Sequence, residues 1–291
     1  MALTIHTNYS SLLTQTNLNK TNNALAVNQQ RLGTGLRINS SADDAAGLQI
    51  ATRLGSQSKG MAVALRNVSD ASSLLQTADG AFGEMTDILQ RMKDISTQAA
   101  NSTNGADDRK SMQAEYDELG KELGNIMVNT SYAGEKLLGR TGGTGKFGAA
   151  MGFQIGASKE EVLTLNVKTQ SEAVGTALGN VSASYSAPAA AGAELATSGS
   201  ANTNIDKLTA ALDAVGKLRG QFGASINRLA HTANNLSNMK DNTEMARGRI
   251  MDADFASESA MSSKNSMLMQ SGISMLKQTA QMPQMVMSLL G

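Results

Sequence analysis

The sequence predicts a mainly α-helical protein: a long antiparallel coiled-coil-like helix bundle folded in half, with its N- and C-terminal helices paired and a small β-hairpin region near the tip. Three observations carry that expectation. Large apolar residues recur every seventh position at both ends, as Leu18, Leu25 and Leu32 and as Met261, Leu268, Met275, Met282 and Leu289. An unbroken alternation of threes and fours joins Met61, Ala64, Val68, Ala71, Leu75, Ala78, Phe82, Met85, Leu89 and Met92. The middle is crowded with glycine, including Gly139, Gly142, Gly143, Gly145 and Gly148. A repeat of seven lays one helix along another, whereas clustered glycine disfavours helix.

Taken in order, residues 9–36 read as an amphipathic helix whose polar positions outnumber its large apolar ones. Such a helix is marginal alone and needs a partner. Gly33 and Gly35 permit a break. Ser40-Ser41-Ala42-Asp43-Asp44 then presents two overlapping Ser-x-x-Asp pairs, Ser40 with Asp43 and Ser41 with Asp44, which suit a helix start through hydroxyl and carboxylate capping. The strict seam from Met61 to Met92 continues weakly through Ser96 and Ala99 and ends in the turn residues Asn101–Gly105. Met112, Tyr116, Leu119, Leu123 and Ile126 keep the rhythm in a shorter helix.

Phe153–Ile155 and Val162–Val167 read as two short strands joined in a hairpin. Residues 171–204, rich in Ala, Ser, Gly and Thr, read as a solvent-facing loop or a weakly packed cap. Helix returns at Ile205, with Leu208, Leu212, Val215, Phe222, Ile226, Leu229 and Leu236 on one face. A helix over 205–246 is about 60 Å long at ~1.5 Å per residue, a match for the one starting at Met61. Arg219 sits on that seam as a register device or a point where it meets water. Gly248, Asp252 and Asp254 mark a second break before the terminal helix.

Composition narrows the function. With aromatics at 3% and no Trp, the chain is poorly equipped to line a small-molecule pocket. Charge balances at 25 basic and 25 acidic residues, which argues against nucleic acid or an anionic membrane as partner and permits dense self-association. Zero Cys excludes disulfides and thiolate chemistry. His6 and His231 lack metalloprotease spacing, and Gly143–Gly148 matches a dinucleotide-binding fingerprint without the flanking strand and helix that give it meaning. No catalytic residue, metal site or cofactor is expected, no stretch reaches the ~20 apolar residues of a membrane span, and no cleavable signal peptide is visible.

Several multi-residue stretches resemble bacterial flagellin. They are Leu36–Leu48 (LRINSSADDAAGL), Leu89–Asp94, Ala99–Asn104, Asn227–Leu229, Arg249–Phe255 (RIMDADF) and Pro283–Leu290. The resemblance covers 1–140 and 203–291 well and 171–202 hardly at all. It implies a secreted structural subunit, extracellular and without cofactor, that polymerises in many copies into the flagellar filament, with an export chaperone and a cap protein as further partners. It also implies an inner tube from 1–42 with 250–291, packed through Leu18, Leu25, Leu32, Met261, Leu268, Met275, Met282 and Leu289. An outer tube from 43–170 with 203–249 would pack through Val68, Leu75, Phe82, Leu89, Leu212, Phe222, Ile226 and Leu229. Residues 171–202 would be a short variable surface loop, with no large outer domain. Positions matching the innate Toll-like receptor contact are Arg91, Ile95 and Glu115. The hook–filament junction protein, flagellin-like at its termini, is the alternative; the unbroken match in both long helices favours the filament subunit.

Overall fold

The computed structural model describes residues 8–290, and the side chains of 8–281; the expected packing side chains of Met282 and Leu289, and His6, lie outside the described residues. In order come α1 (Tyr9–Thr34), α2 (Ala45–Ala100), α3 (Ala106–Asn129), β1 (Ser131–Tyr132), β2 (Glu135–Lys136), a 3-10 turn (Lys146–Gly148), β3 (Met151–Gln154), β4 (Val162–Leu165), α4 (Lys168–Val181), α5 (Ala183–Ser186), α6 (Ser198–Met251) and α7 (Phe255–Leu290). The mainly helical class, the paired terminal helices and the hairpin are all present. The chain divides into two compact units: one gathers the chain through Ser58 and from Asp241 onward, the other is Lys59–Lys240.

In the Lys59–Lys240 unit the seam of α2 does what its spacing dictates. Every position of the alternation from Met61 to Ala99 is buried, the polar Ser96 included. Opposite it, α6 buries Leu208, Val215, Leu218, Phe222 and Leu229, while Leu212 and Ile226 pack half-buried on the same core. Phe222 is the hub, its ring centroid 5.9 Å from Phe82 and 5.1 Å from Phe147. Arg219 lies outside this core and pairs with Asp79 of α2 at 2.9 Å. That carboxylate raises the Arg219 pKa by hydrogen bonding to the guanidinium.

The middle of the chain departs from expectation. β3 and β4 form the antiparallel hairpin, with Met151 opposite Leu165 and Gln154 opposite Val162. Residues 168–181 and 183–186 are helical instead of a loop, and Val174, Leu178, Val181, Tyr185 and Leu195 are buried. Their apolar groups are too few to show in an Ala/Ser-rich sequence. Hydrogen bonds supply the rest: Tyr116 Oη donates to the Val181 carbonyl at 2.9 Å, and Asn204 Nδ2 donates to Tyr116 Oη at 2.7 Å. The glycine-rich stretch is packed as tightly. Gly142 has φ +74° and sits where a Cβ would lie 1.9 Å from the Ser171 carbonyl oxygen. Phe147, inside the dinucleotide-like motif, is a core residue, so that motif is a folded turn and not a phosphate cradle.

α6 also overruns its expected end, passing through Gly248 to Met251.

Candidate assembly surface

The two breaks are built as matched corners. α1 ends at Gly35, whose φ of 71° is the left-handed cap that glycine adopts at little cost. The chain leaving α1 meets the chain leaving α6 as an isolated antiparallel bridge, Leu36 with Asp252. Arg37 N donates to Met251 O at 2.6 Å, and Ala253 N donates to Gly35 O at 3.0 Å. Ile38, Ala51 and Met251 are buried beneath it, with Leu36, Leu48 and Ile250 packed around them.

Carboxylates cap these corners. Asp44 Oδ1 accepts from Gly47 N at 2.9 Å at the start of α2, and Asp254 Oδ1 accepts from Ala256 N at 3.0 Å at the start of α7. Asp43 Oδ2 turns the other way and accepts from Asn39 N, Ser40 N and the Ser40 hydroxyl. These amides, Ser40 first, hold the Asp43 carboxyl below its usual range. Hydroxyl capping by Ser40 and Ser41 is therefore corrected: Ser40 donates its hydroxyl to Asp43, and the start of α2 is capped by the Asp44 carboxylate. A carboxylate outcompetes a hydroxyl because its charge also favours the positive end of the helix.

Beyond the corners α1 and α7 pair antiparallel. Arg31 meets Glu258, Leu18 lies over Gly272, and Asn8 Nδ2 donates to Thr279 O at 2.8 Å. Each step forward on α1 is matched by a similar step back on α7, so these contacts define one register. The less exposed residues trace the shared seam: Ser11, Thr14, Leu18, Thr21, Leu25, Asn28 and Leu32 on α1, and Glu258, Ser262, Asn265, Met269, Gly272, Leu276 and Thr279 on α7. Both rows alternate by threes and fours, and both are largely polar or small.

The sequence-predicted packing positions therefore separate. Leu18, Leu25 and Leu32 face α7. Met261, Leu268 and Met275 lie beside the seam and remain 50%, 49% and 53% exposed. Leu12, Leu13, Met267 and Ile273 are exposed too. An exposed apolar row of this length on a helix marks a surface built to be covered. What sequence reasoning missed is the polar seam itself, whose signal was the spacing of Glu258, Ser262, Asn265 and Met269.

The chain matches two family models, the bacterial flagellin N-terminal helical region over residues 5–142 and the bacterial flagellin C-terminal helical region over residues 205–290. It is 34% identical to flagellin A of Vibrio anguillarum over an alignment of 387 positions that covers all of both chains. The chain belongs to the bacterial flagellin family. It is thus a structural subunit of the extracellular flagellar filament.

Polar flagellin C of Vibrio parahaemolyticus is 32% identical over 390 positions, again covering both chains entirely. Against 291 residues here, the 387 positions of the first alignment require at least 96 residues that this flagellin lacks. A solved structure described as a flagellar hook-associated protein from Vibrio parahaemolyticus shares the fold, with TM-score 0.57, 15% identity, and coverage of 72% of this chain and 100% of that one. Elsewhere on this flagellin, Arg91 and Glu115 form an exposed ion pair at 2.7 Å. Ile95, grouped with them by resemblance, is 2% exposed and belongs to the core, so it offers no contact surface. Among the described residues no helix is long and apolar enough to cross a membrane, and no group of three or more His, Cys, Asp or Glu is placed to hold a metal ion.

Proposed function

We propose that the exposed row of α7 is the surface through which subunits of this flagellin join. The carrying observation is that Met261, Leu268 and Met275 lie off the α1 seam and keep about half their surface in water. Apart from three leucines of α1 and Met269 and Leu276 of α7, the intramolecular pair spends polar and small residues on itself, so the exposed apolar row of α7 is left for neighbours. Covering the exposed half of one such side chain is worth on the order of 1 kcal/mol. Repeated over many identical contacts, that favours a filament.

In this reading 1–42 with 250–291 forms the inner tube, and 43–170 with 203–249 the outer one. Residues 171–202 are the outer surface, as a small packed element and not a variable loop. The subunit has no catalytic role. An export chaperone would cover the same α7 row before assembly, and a cap protein would seat the subunit at the growing end. Any innate-receptor contact would use the Arg91–Glu115 pair.

Leu268→Asp tests the surface. The variant should keep the helical content and melting profile of the parent as a dilute monomer, yet fail to elongate seeds. Elongation at the parental rate would reject the assignment.

A further inference from the structure

Among the described residues the methionines differ widely in exposure, and besides Met239 and Met245 on α6 the exposed ones stand on α7. Met85, Met92 and Met127 are fully enclosed in the Lys59–Lys240 core. Met261, Met267 and Met275 stand on α7 at 50%, 65% and 53% exposure. The exposed three are off the α1 seam, so their side chains are open to a small oxidant. They also sit on or beside the row assigned above to subunit joining.

We infer that Met261, Met267 and Met275 form a reversible oxidation switch on polymerisation, an inference that rests on the proposed joining surface. The oxidant is hydrogen peroxide. A sulfur lone pair takes one peroxide oxygen as the O–O bond breaks. Sulfur is oxidised by two electrons to the sulfoxide, and the peroxide is reduced to water. The product replaces a flexible apolar group with a strong hydrogen-bond acceptor. Placed in a joining surface, that acceptor loses water without gaining a donor, which is unfavourable.

The Lys59–Lys240 core does not include these three, and the row of α7 that faces α1 runs through Glu258, Asn265, Met269, Gly272, Leu276 and Thr279 instead, so the oxidation leaves both intact. A methionine sulfoxide reductase reverses the step, with two thiols oxidised to a disulfide and the oxygen released as water. Once a subunit is in the filament its neighbours shield these sulfurs, so the switch acts on the free subunit.

The test treats full-length monomer with limited hydrogen peroxide and maps sulfoxides by peptide mass spectrometry. Met261, Met267 and Met275 should oxidise while Met85, Met92 and Met127 do not. Circular dichroism should stay constant, and the critical concentration for seeded growth should rise about tenfold, the scale of one lost apolar contact. Reductase with a thiol should restore it. The variant carrying Met261→Leu, Met267→Leu and Met275→Leu should polymerise with or without peroxide.

Unchanged growth of a subunit oxidised at these sites overturns the switch. So does absence of reaction there, or a triple variant that stays as peroxide-sensitive as the parent. Failure of the reading beneath it looks different: preformed filaments would oxidise at Met261 and Met275 as fast as monomer, which says that the row is not a joining surface.

Discussion

Arg31 Nη1 donates to Glu258 Oε1 at 3.0 Å, which ties α1 to α7 across most of the chain's length in sequence. The Glu258 side chain is only 10% exposed, against 28% for Arg31. Glu258 Oε2, Arg31 Nε and Asn28 Nδ2 find no hydrogen-bond partner among the described residues. Such a pair adds modest net stability but is costly to break from one side, because the survivor stays partly buried and unpaired.

Glu258→Ala should therefore loosen the α1–α7 pair by about 1–3 kcal/mol, below the usual cost of a broken buried pair because Arg31 keeps some water. Hydrogen exchange of α1 and α7 amides in the monomer reads it directly. Replacing both partners, Arg31→Met with Glu258→Leu, should recover much of the loss. Equal protection in the single variant and the parent would show that the pair contributes nothing to register.

Two glycines should respond to alanine in opposite directions. Gly142→Ala meets both a φ of +74° and the Ser171 carbonyl oxygen at 1.9 Å, so the Lys59–Lys240 unit should lose about 3 kcal/mol or more. Gly80 lies in the middle of α2 with open space around it. Gly80→Ala should gain about 0.5–1 kcal/mol through helix propensity alone. Denaturant titration of both variants checks the signs.

The long helices were legible because a seam in α2 repeats far enough for spacing alone to fix its buried face. Met61 through Ala99 is buried throughout. Apart from the β3–β4 hairpin, the region from Arg140 to Leu195 was not, for a physical reason. Its order comes from backbone contacts such as Ser171 Oγ donating to Gly142 O at 2.7 Å, and from Tyr185 hydrogen-bonded to the Arg140 carbonyl. Neither leaves a period in the sequence. The α7 row was visible as a heptad, but a heptad does not say which partner it faces. The Glu258–Thr279 seam shows that α1 takes the neighbouring face instead.

The same polar packing sets an alkaline limit. Burial disfavours the phenolates of Tyr116 and Tyr185, raising both pKa values, that of Tyr185 to about 12. A raised pKa means that the folded form holds its proton more tightly than the unfolded one. The stabilisation is thus complete below the ordinary value of 10.0 and fades as pH rises toward the folded values. Phenolate absorbance and circular dichroism, followed together, should show these tyrosines ionising as the unit unfolds. Tyr116→Phe should remove part of that alkaline sensitivity while costing about 1–3 kcal/mol at neutral pH, since Asn204 and the Val181 carbonyl lose their partner.

At the other end of the scale Asp43 should govern the corner between α1 and α2. Its carboxylate holds the Ser40 and Asn39 amides at 2.9 and 3.0 Å, and these bonds lower its pKa from 3.8. A lowered pKa reverses the sign found for the tyrosines: the contribution is present above 3.8 and is lost as pH falls through the folded value. Amide exchange at Asn39 and Ser40 should accelerate in that acid window, beyond its intrinsic pH dependence, while amides inside α2 keep their protection. Asp43→Asn lacks the titration, so its protection at the two amides should be weaker at neutral pH and free of the acid step. An acid step that survives in Asp43→Asn would assign the loosening to another carboxylate.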